Sequence, residues 1–485
     1  MLGGHKLVVH TNNADDPYVT VPDHEDYDEE DDEDLLVKQT DIVLCVGRTE
    51  EEASTLEVYL YEEDGGKLYV HHDFNLPSFP LSLCWMDCDP RLESAAPTNS
   101  QGFTESSAAS KGSFLAVGTF QTGIELWNLD VLDVLEPVGT LGGRDDPDPE
   151  VVRQAVEAEQ RAKKKKGGKK AVMDAALQAK LMGELREGSH ADAVMSLAWH
   201  PAARTRLASG SADKTVKLWD VCTQKCVNTF DTLHTDKVQS LNWNYTESNV
   251  LLTGSYDKRV CVVDIRANIR GGEGVLPFQL SADIEQARWS PHQPFLFACA
   301  LENGHVVFFD ARQTAKTPMF TLAAHNQACT NISFNAVLPT CFATASLDKT
   351  VKIWDFNPQP SLVSSKDMKP VGSIFAAEFD KNYAHVLAVG GDKGKVGVWD
   401  LREDSKCRAK YGEECDGRMG GRSETTPAVN PFAIPANGTL NAQPPTTTQT
   451  ATSSSSSSST AAASKDKKKK KMKTSLRRTR DDESD

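Results

Sequence analysis

The chain has 485 residues, of which 39% are apolar and 25% are charged, and its formal net charge is −16. This length and apolar content suffice for a large buried core, whereas no run of about 18 apolar residues offers a membrane-spanning helix. Met1–Val9 is too short and too broken by polar residues for a secretory signal, so we expect a soluble intracellular protein with no membrane partner.

The first 40 residues contain a dense acidic tract, Asp23–Asp34, in which ten of twelve side chains are carboxylates. Charge repulsion and the lack of apolar residues predict that residues 1–40 are disordered. The tract is either a solubilising tail or a binding segment for basic partners such as histone tails or ribosomal proteins. The candidate binding residues are Asp28, Glu29, Glu30, Asp31, Asp32, Glu33 and Asp34.

Predicted strands begin at about residue 41. A hairpin is expected over Asp41–Arg48 and Thr55–Tyr61, and Lys67–Asp73 supplies the next strand. A second unit starts with a strand at Leu81–Trp85 and continues with a hairpin that ends at Trp127. The first hairpin resembles those predicted later in the chain.

Two insertions interrupt the predicted strands, at 88–111 and at 142–188. The first is rich in small and polar residues and predicts a flexible loop, whereas the second has helix-forming composition over Glu150–Lys166 and Ala171–Glu187. The second also carries a basic cluster, formed by Lys163, Lys164, Lys165 and Lys166. Such a cluster is a solvated face, a nuclear localisation signal or a contact for RNA phosphates.

From Leu207 onward one pattern returns at a nearly fixed interval. It reads L-A-S-G-S-A-D-K-T-V-K-L-W-D in Leu207–Asp220 and recurs over 251–264, 297–310 and 342–355, with a looser copy ending at Asp400. The closing hydrophobic residues, spaced 44, 46, 45 and 45 positions apart, are Trp219, Val263, Phe309, Trp354 and Trp399. A period of this size indicates a repeat fold.

Each copy predicts two short strands around a tight turn, preceded by a strand that ends in an aromatic residue and followed by a polar strand. Four strands per unit with a Trp-Asp ending resemble the blade of a WD-repeat β-propeller. Seven hairpin ends, from Tyr59 to Trp399, predict an all-β, seven-bladed propeller over 41–411, flanked by disordered tails. Tryptophans end the first strands at Trp85, Trp199, Trp243 and Trp289 and the third strands at Trp127, Trp219, Trp354 and Trp399, where indole rings would fill the space between blades.

Two sets of side chains match the hydrogen-bonded tetrad of WD repeats. They are His190, Ser209, Asp213 and Trp219, and His325, Thr344, Asp348 and Trp354. A partial set has His234, Thr253 and Asp257, with Val263 in place of the tryptophan. A buried aspartate needs donors, which histidine, hydroxyl and indole groups supply in turn. Because the set recurs in the same register, it indicates architecture rather than Ser-His-Asp catalysis.

The sequence offers no further sign of chemistry. Cys84/Cys88 and Cys222/Cys226 are spaced pairs, but neither has a histidine or a second pair at zinc-ligand spacing, so we expect no metal and no cofactor. There is no phosphate-binding glycine loop and no nucleophile elbow. We therefore expect no enzyme and no small-molecule substrate.

Residues 412–485 form a second polar tail, rich in Ser, Thr and Pro. It contains an unbroken serine run, Ser453–Ser459, and ends in a polybasic segment with Lys467, Lys468, Lys469, Lys470 and Lys471. This composition predicts disorder, with sites for phosphorylation or a signal for nuclear import.

Several runs outside the repeat pattern resemble the periodic tryptophan protein 1 family. They are Asp15–Thr20, Tyr69–Asp73, Trp127–Asp130 followed by Leu135–Val138, His234–Gln239 and Gly254–Lys258. The resemblance implies a protein of the nucleus and nucleolus that acts in ribosome biogenesis. Together with the repeat, which favours architecture over catalysis, it predicts a non-catalytic scaffold. It implies protein partners, namely histones at ribosomal genes and pre-ribosomal factors, with an indirect association with ribosomal RNA or ribosomal DNA.

The chain departs from this family at its beginning, because the family's tryptophan-containing first strand is not found. Either Lys6–His10 supplies that strand or the chain is shortened at its N-terminus. The missing strand would leave an exposed inner edge on blade one.

An alternative function is a substrate receptor of a cullin-type ubiquitin ligase. Trp399–Arg402, with weaker copies at 263–266 and 309–312, resembles the adaptor-binding box of such receptors. Arginine is also common there for packing reasons.

Overall fold

The computed structural model describes residues 37–38, 40–50, 53–63, 65–91, 111–132, 134–147, 149–153, 183–271, 273–313, 316–357 and 359–419. These residues form a seven-bladed β-propeller, which confirms the predicted fold class. The acidic tract, the serine run and both lysine clusters lie outside the described residues, as does the predicted strand at Lys6–His10.

The described strands form seven antiparallel sheets that follow one another along the chain as blades. Blade one has β1 (Ile42–Thr49), β2 (Ser54–Glu62) and β3 (Lys67–Leu76); blade two has β4 (Pro80–Cys88), β5 (Lys111–Thr119), β6 (Gly123–Asn128) and β7 (Gly139–Gly142). Blade three has β8 (Val194–Trp199), β9 (Arg206–Ser211), β10 (Val216–Asp220) and β11 (Lys225–Phe230); blade four has β12 (Val238–Trp243), β13 (Val250–Ser255), β14 (Arg259–Asp264) and β15 (Val275–Gln279). Blade five has β16 (Ile284–Trp289), β17 (Leu296–Leu301), β18 (His305–Asp310) and β19 (Phe320–Ala323); blade six has β20 (Cys329–Phe334), β21 (Cys341–Ser346), β22 (Thr350–Phe356) and β23 (Pro360–Asp367). Blade seven has β24 (Ile374–Phe379), β25 (Val386–Gly391) and β26 (Val396–Asp400), and a 3-10 helix spans Ile269–Gly271.

The second and third strands of blade three are buried on both faces, which explains their composition. Every residue of β9 and β10 is buried, whereas β11 at the outer edge is only partly covered. A strand sandwiched between two neighbouring blades has no solvent face, so small and apolar residues follow one another instead of alternating with charged ones.

The Asp-Lys turns between these strands are fixed by the aspartate. The Asp213, Asp257 and Asp348 carboxylates each accept a bond from the backbone N–H two residues on, at 2.9 to 3.0 Å. The lysine between them takes a left-handed conformation, with φ of 72° at Lys214 and 68° at Lys349. The side-chain bond holds the tight turn that closes the hairpin.

The buried apolar side chains form one cluster at each interface between successive blades. Third-strand indoles pack toward the preceding blade: Trp219 belongs to the cluster of blades two and three, and Trp399 to that of blades six and seven. Trp243, at the end of a first strand, donates from Nε1 to the Ala198 carbonyl of blade three at 3.0 Å. The tryptophans thus fill the wedge between twisted sheets, as the sequence predicted.

First strands are also tied to one another by polar side chains. Ser196 Oγ of blade three accepts from Leu241 N of blade four at 3.0 Å, and Ser333 Oγ of blade six accepts from Phe379 N of blade seven at 2.9 Å. Between blades two and three, Cys84 Sγ accepts from Trp199 N at 3.1 Å. These bonds satisfy backbone groups that the sheets leave unpaired.

Blades one and seven each have three strands within the described residues. A Cβ on Gly47 of β1 would lie 2.9 Å from Pro80 at the start of β4, just as one on Gly210 of β9 would lie 2.7 Å from Val238 at the start of β12. Strand β1 therefore occupies the second-strand position, and the described part of blade one begins with its hairpin, as the sequence indicated.

Strand β26 is followed by a helix rather than by a fourth strand. Helix α1 (Ser405–Met419) starts at Asp404, whose Oδ1 accepts from Lys406 N at 2.9 Å and from Cys407 N at 3.0 Å. This N-cap favours a helix over a strand. Tyr411 is buried against blade six, where its hydroxyl lies 3.3 Å from Asp355 Oδ1. The helix crosses the predicted boundary between residues 411 and 412.

The predicted helix Ala171–Glu187 is wrong at its end. Residues 183–187 are not helical, and Leu185 forms an antiparallel bridge with Arg144. Asp145 N donates to Glu184 O at 2.8 Å and Arg186 N to Gly143 O at 3.0 Å. Pairing with the start of the insertion overrides helix propensity. Residues 149–153 are helical, in agreement with the start of the helix predicted at Glu150.

Blades seven and one meet at a seam with a small apolar cluster, whose buried members are Ile42, Tyr61 and Val386. Polar contacts supplement it: Arg402 Nη1 donates to Glu63 Oε1 at 3.1 Å. His385 Nε2 lies 3.5 Å from the same oxygen, but burial and Arg402 lower the pKa of His385, so it is neutral at pH 7 and forms no ion pair. The carboxylate of Glu63 is thus central to the described seam.

We expect Glu63→Ala to lower the free energy of unfolding by about 1 to 2 kcal/mol, because Arg402 loses a charge-assisted hydrogen bond across the seam. Thermal or urea unfolding of the full chain measures this change. Glu62→Ala is the matched control, since Glu62 pairs with the exposed Lys38 and its loss should cost less than about 0.5 kcal/mol. Equal effects of the two substitutions would contradict the role assigned to the seam contact.

Candidate protein-docking face

The structure brings together the four side chains of the first sequence-predicted tetrad. His190 Nδ1 lies 2.9 Å from Asp213 Oδ2, and His190 Nε2 lies 2.7 Å from Ser209 Oγ. The Trp219 indole N–H donates to the same hydroxyl at 2.7 Å. The chain of bonds joins the loop before β8 to strands β9 and β10 of one blade.

The second tetrad has the same geometry in blade six. His325 Nδ1 lies 3.0 Å from Asp348 Oδ2 and Nε2 lies 2.8 Å from Thr344 Oγ1, to which the Trp354 indole donates at 2.9 Å. Blade four holds the partial set, in which His234 Nε2 lies 2.8 Å from Thr253 Oγ1. There the hydroxyl has no indole donor, because Val263 occupies the tryptophan position.

The electrostatics of the tetrads fit a structural role. Burial lowers the pKa of His190 and of His325, so both rings are neutral at pH 7. A neutral ring that donates from Nδ1 to the aspartate accepts at Nε2 from the hydroxyl, which in turn accepts from the indole. Burial alone would raise the pKa of Asp213, but hydrogen bonds from His190 and Thr215 lower it. Ser209 is fully buried, which leaves no room for a substrate.

We expect Thr344→Val to lower the free energy of unfolding by about 2 to 3 kcal/mol, because it leaves two buried partners, His325 and the Trp354 indole, without their hydrogen bond. Thr253→Val is the matched control with one histidine partner and should cost about 1 kcal/mol. Urea unfolding of the full chain compares the two substitutions. If they cost the same, the indole bond adds nothing to stability.

Stability should also fall in acid. The pKa of His200 is lowered to about 4 by burial and by Arg206, and those of His190 and His325 are lowered as well. Below the unfolded-state pKa of about 6.5, the histidines are protonated in the unfolded chain but stay neutral in the native protein. Each of them therefore lowers the free energy of unfolding by about 1.4 kcal/mol per pH unit until its native pKa is reached. Below about pH 4 the depressed pKa values of Asp213 and Asp348 add to the loss.

Unfolding free energies measured from pH 7 to pH 4.5 test this expectation. A constant value between pH 6.5 and pH 5 would contradict it.

The face that carries the Asp-Lys turns has a second repeated feature, which we call the rim pairs. In blades two to seven the residue just after the second strand donates its N–H to the carbonyl of the residue just before the first strand, at 2.9 to 3.2 Å. In blade order the pairs are Phe79 and Phe120, Ala193 and Ala212, Lys237 and Tyr256, Asp283 and Glu302, Ala328 and Leu347, and Ser373 and Asp392. The backbone is the same throughout, whereas the side chains differ from blade to blade.

On blade two the rim pair is aromatic and exposed. The rings of Phe79 and Phe120 pack edge to face with centroids 5.4 Å apart. Phe79 is 47% exposed to solvent and Phe120 is 58% exposed. Two large aromatic side chains exposed side by side make this part of the face a candidate contact surface.

Blades four and five carry charge at the same positions. Lys237 Nζ lies 5.1 Å from the centre of the Tyr256 ring, and the Tyr256 hydroxyl lies 3.4 Å from a Glu285 carboxylate oxygen. Burial raises the pKa of Glu285, and the charges of Glu302 and Asp283 raise it further. Lys258 Nζ lies 3.9 Å from Asp283 Oδ1, so the three carboxylates of this sector stand against two ammonium groups, those of Lys237 and Lys258. Carboxylates outnumber cations among these residues.

A bulge places Glu285 at the rim. Strand pairing shifts between Ile284 and Gln286, so Glu285 has no partner on β17, and the same shift occurs in blades two, three, four, six and seven. Bulges of this kind redirect a side chain out of the sheet. Sequence analysis missed the rim pairs, although aligning the repeat copies on the residue before each first strand would have shown their positions.

The arginines of the adaptor-box pattern are engaged locally. Arg266, Arg312 and Arg402 each donate from Nε and Nη2 to the aspartate two residues earlier, and Arg402 also reaches Glu63. These contacts give the arginines a packing role that requires no adaptor.

Within the described ranges no group of three or more His, Cys, Asp or Glu side chains is arranged to hold a metal ion. The described helices include none long and apolar enough to cross a membrane.

Residues 181–220, 224–264 and 316–355 match the WD domain, G-beta repeat family. An uncharacterized WD repeat-containing protein of Schizosaccharomyces pombe is 39% identical over 84% of this chain and 70% of its own length. Periodic tryptophan protein 1 of Saccharomyces cerevisiae is 29% identical over 83% of the chain and 70% of its own length.

The chain belongs to the periodic tryptophan protein 1 family. The homologue of periodic tryptophan protein 1 in Drosophila melanogaster is 25% identical over 81% of the chain and 74% of its own length. These matches cover far more of the chain than the three repeats that match the WD family. The similarity is therefore not confined to the repeat pattern, in agreement with the family suggested by the runs outside it.

Proposed function

We propose that this member of the periodic tryptophan protein 1 family is a non-catalytic scaffold in ribosome biogenesis, and that its rim pairs and acidic tract bind basic protein segments. The proposal rests on the rim pairs. One backbone arrangement is repeated in six blades with aromatic, cationic, acidic and small side chains. A repeated frame with varied side chains suits binding of proteins, whereas catalysis needs one site.

The acidic sector favours a cationic partner. The carboxylates of Asp283, Glu302 and Glu285 lie near Tyr256, and they outnumber the ammonium groups of Lys237 and Lys258 in this sector. A lysine or arginine of a partner finds carboxylates there with which it can pair. The acidic tract at 23–34 adds long-range attraction for the same class of partner.

Histone tails and basic ribosomal proteins have this chemistry. We propose that the protein acts in the nucleus and nucleolus, with the lysine clusters at 163–166 and 467–471 as import signals. An association with ribosomal RNA or ribosomal DNA would be indirect, through those proteins, since carboxylates repel phosphates.

The test has two arms. In the first, a fluorescent lysine- and arginine-rich histone-tail peptide is titrated with the full chain at rising salt. We expect the double variant Asp283→Asn with Glu302→Gln to weaken binding by about tenfold, because two charge contacts are lost, and salt to weaken the wild type similarly. In the second arm, tagged protein is located in cells and its co-purifying proteins are identified by mass spectrometry.

Asp392→Asn is the matched control, because Asp392 is an exposed rim residue of blade seven outside the acidic sector. It should leave peptide binding unchanged. Equal weakening by both variants would show a non-specific charge effect. A diffuse cytoplasmic signal with neither histones nor pre-ribosomal proteins attached would contradict the proposed function.

A further inference from the structure

Two cysteines distant in sequence lie together between blades two and three. Cys88 is the last residue of β4, and Cys222 lies in the turn that follows β10. Their Sγ atoms are 3.9 Å apart although the residues are separated by 134 positions. Cys88 is fully buried and Cys222 is 9% exposed. In the sequence, Cys88 is close to Cys84 and Cys222 is close to Cys226, so the contact between Cys88 and Cys222 is evident only in the folded propeller.

The pair is held by fixed surroundings. Arg204 of blade three donates from Nε to Asp87 Oδ1 at 2.5 Å and from Nη2 to the Asp87 carbonyl at 2.6 Å, which locks blade three to the residue next to Cys88. The turn that carries Cys222 is fixed by Asp220, whose Oδ1 accepts from Cys222 N at 3.0 Å.

The environment also favours the thiolate of Cys88. The hydrogen bond from Cys222 lowers the pKa of Cys88, and the Arg204 guanidinium lowers it further, against the effects of burial and of the Asp87 and Asp89 carboxylates. Burial raises the pKa of Cys45 to about 12 and also raises that of Cys299. Because the thiolate is the nucleophile, oxidation should select Cys88 among these cysteines.

We propose that Cys88 and Cys222 form a reversible disulfide when the protein meets a hydroperoxide. The Cys88 thiolate attacks one peroxide oxygen; with hydrogen peroxide the O–O bond breaks, the leaving hydroxide takes a proton as water, and Cys88 becomes a sulfenic acid. The Cys222 sulfur then attacks Cys88 Sγ and displaces the hydroxyl group, which leaves with the Cys222 proton as a second water. Two thiols are oxidised and one peroxide is reduced to two waters.

The bond requires the sulfurs to approach from 3.9 Å to about 2 Å, which side-chain rotation at both residues can provide. It would join the end of the first strand of blade two to the turn after the third strand of blade three. The rim pair of blade two lies at the opposite end of β4, so the cross-link stiffens the ring without covering the rim. Closing a long loop also restricts the unfolded chain.

The experiment treats the reduced full chain with hydrogen peroxide, alkylates the remaining thiols and maps the peptides by mass spectrometry without reduction. We expect a peptide pair joined through Cys88 and Cys222, lighter than the two thiol peptides by two hydrogen atoms. We expect the melting temperature to rise by about 3 to 6 °C and to return after treatment with dithiothreitol.

Cys88→Ser and Cys222→Ser should each abolish the cross-link and the rise in melting temperature. Cys226→Ser is the matched control: the Cys226 Sγ lies 3.4 Å from the carbonyl of Asn228 in the same strand, β11, and both effects should persist. The proposal is overturned if the native protein keeps both thiols alkylatable after peroxide treatment. It is equally overturned if Cys88 is oxidised to sulfinic acid without a cross-link, or if the melting temperature rises as much in Cys88→Ser.

Discussion

The whole structure depends on each small sheet burying both of its faces against its neighbours. Strands β9 and β10 have no exposed residue, and the apolar clusters lie between successive blades rather than within one. A single blade therefore has no core of its own, and only the ring supplies one. The periodic tryptophans follow from this constraint, because twisted neighbouring sheets leave a gap between them and a large indole ring fills that gap.

The tetrads supply the hydrogen bonds that polar groups need when this burial removes them from water. A tight turn places an aspartate next to a buried face, and the histidine, hydroxyl and indole groups supply the donors that the low dielectric demands. Blade four shows that the set can be incomplete, since Val263 replaces the indole and the fold persists. Once the backbone of each blade is fixed in this way, the rim pairs are free to vary, and their variation gives the face its chemistry.

The seam between blades one and seven is the exception to the regular packing. Its buried apolar cluster has Ile42, Tyr61 and Val386, whereas the interface of blades six and seven also gains Cys407 and Tyr411 from helix α1. Charged and polar contacts through Glu63 and Arg402 supplement the small cluster. The stability of the described ring is therefore unevenly distributed around its circumference.

The sequence alone determined the repeat, the hairpins, the positions of the indoles and both tetrads, because these depend on local alternation, turn chemistry and a fixed period. It did not determine the end of the second insertion, where pairing of Leu185 with Arg144 outweighs helix propensity, nor the helix that follows β26. Only the closed ring decided which distant residues meet, such as Cys88 with Cys222 and Glu63 with Arg402. Such contacts depend on how blades stack, and no local pattern in the chain records that.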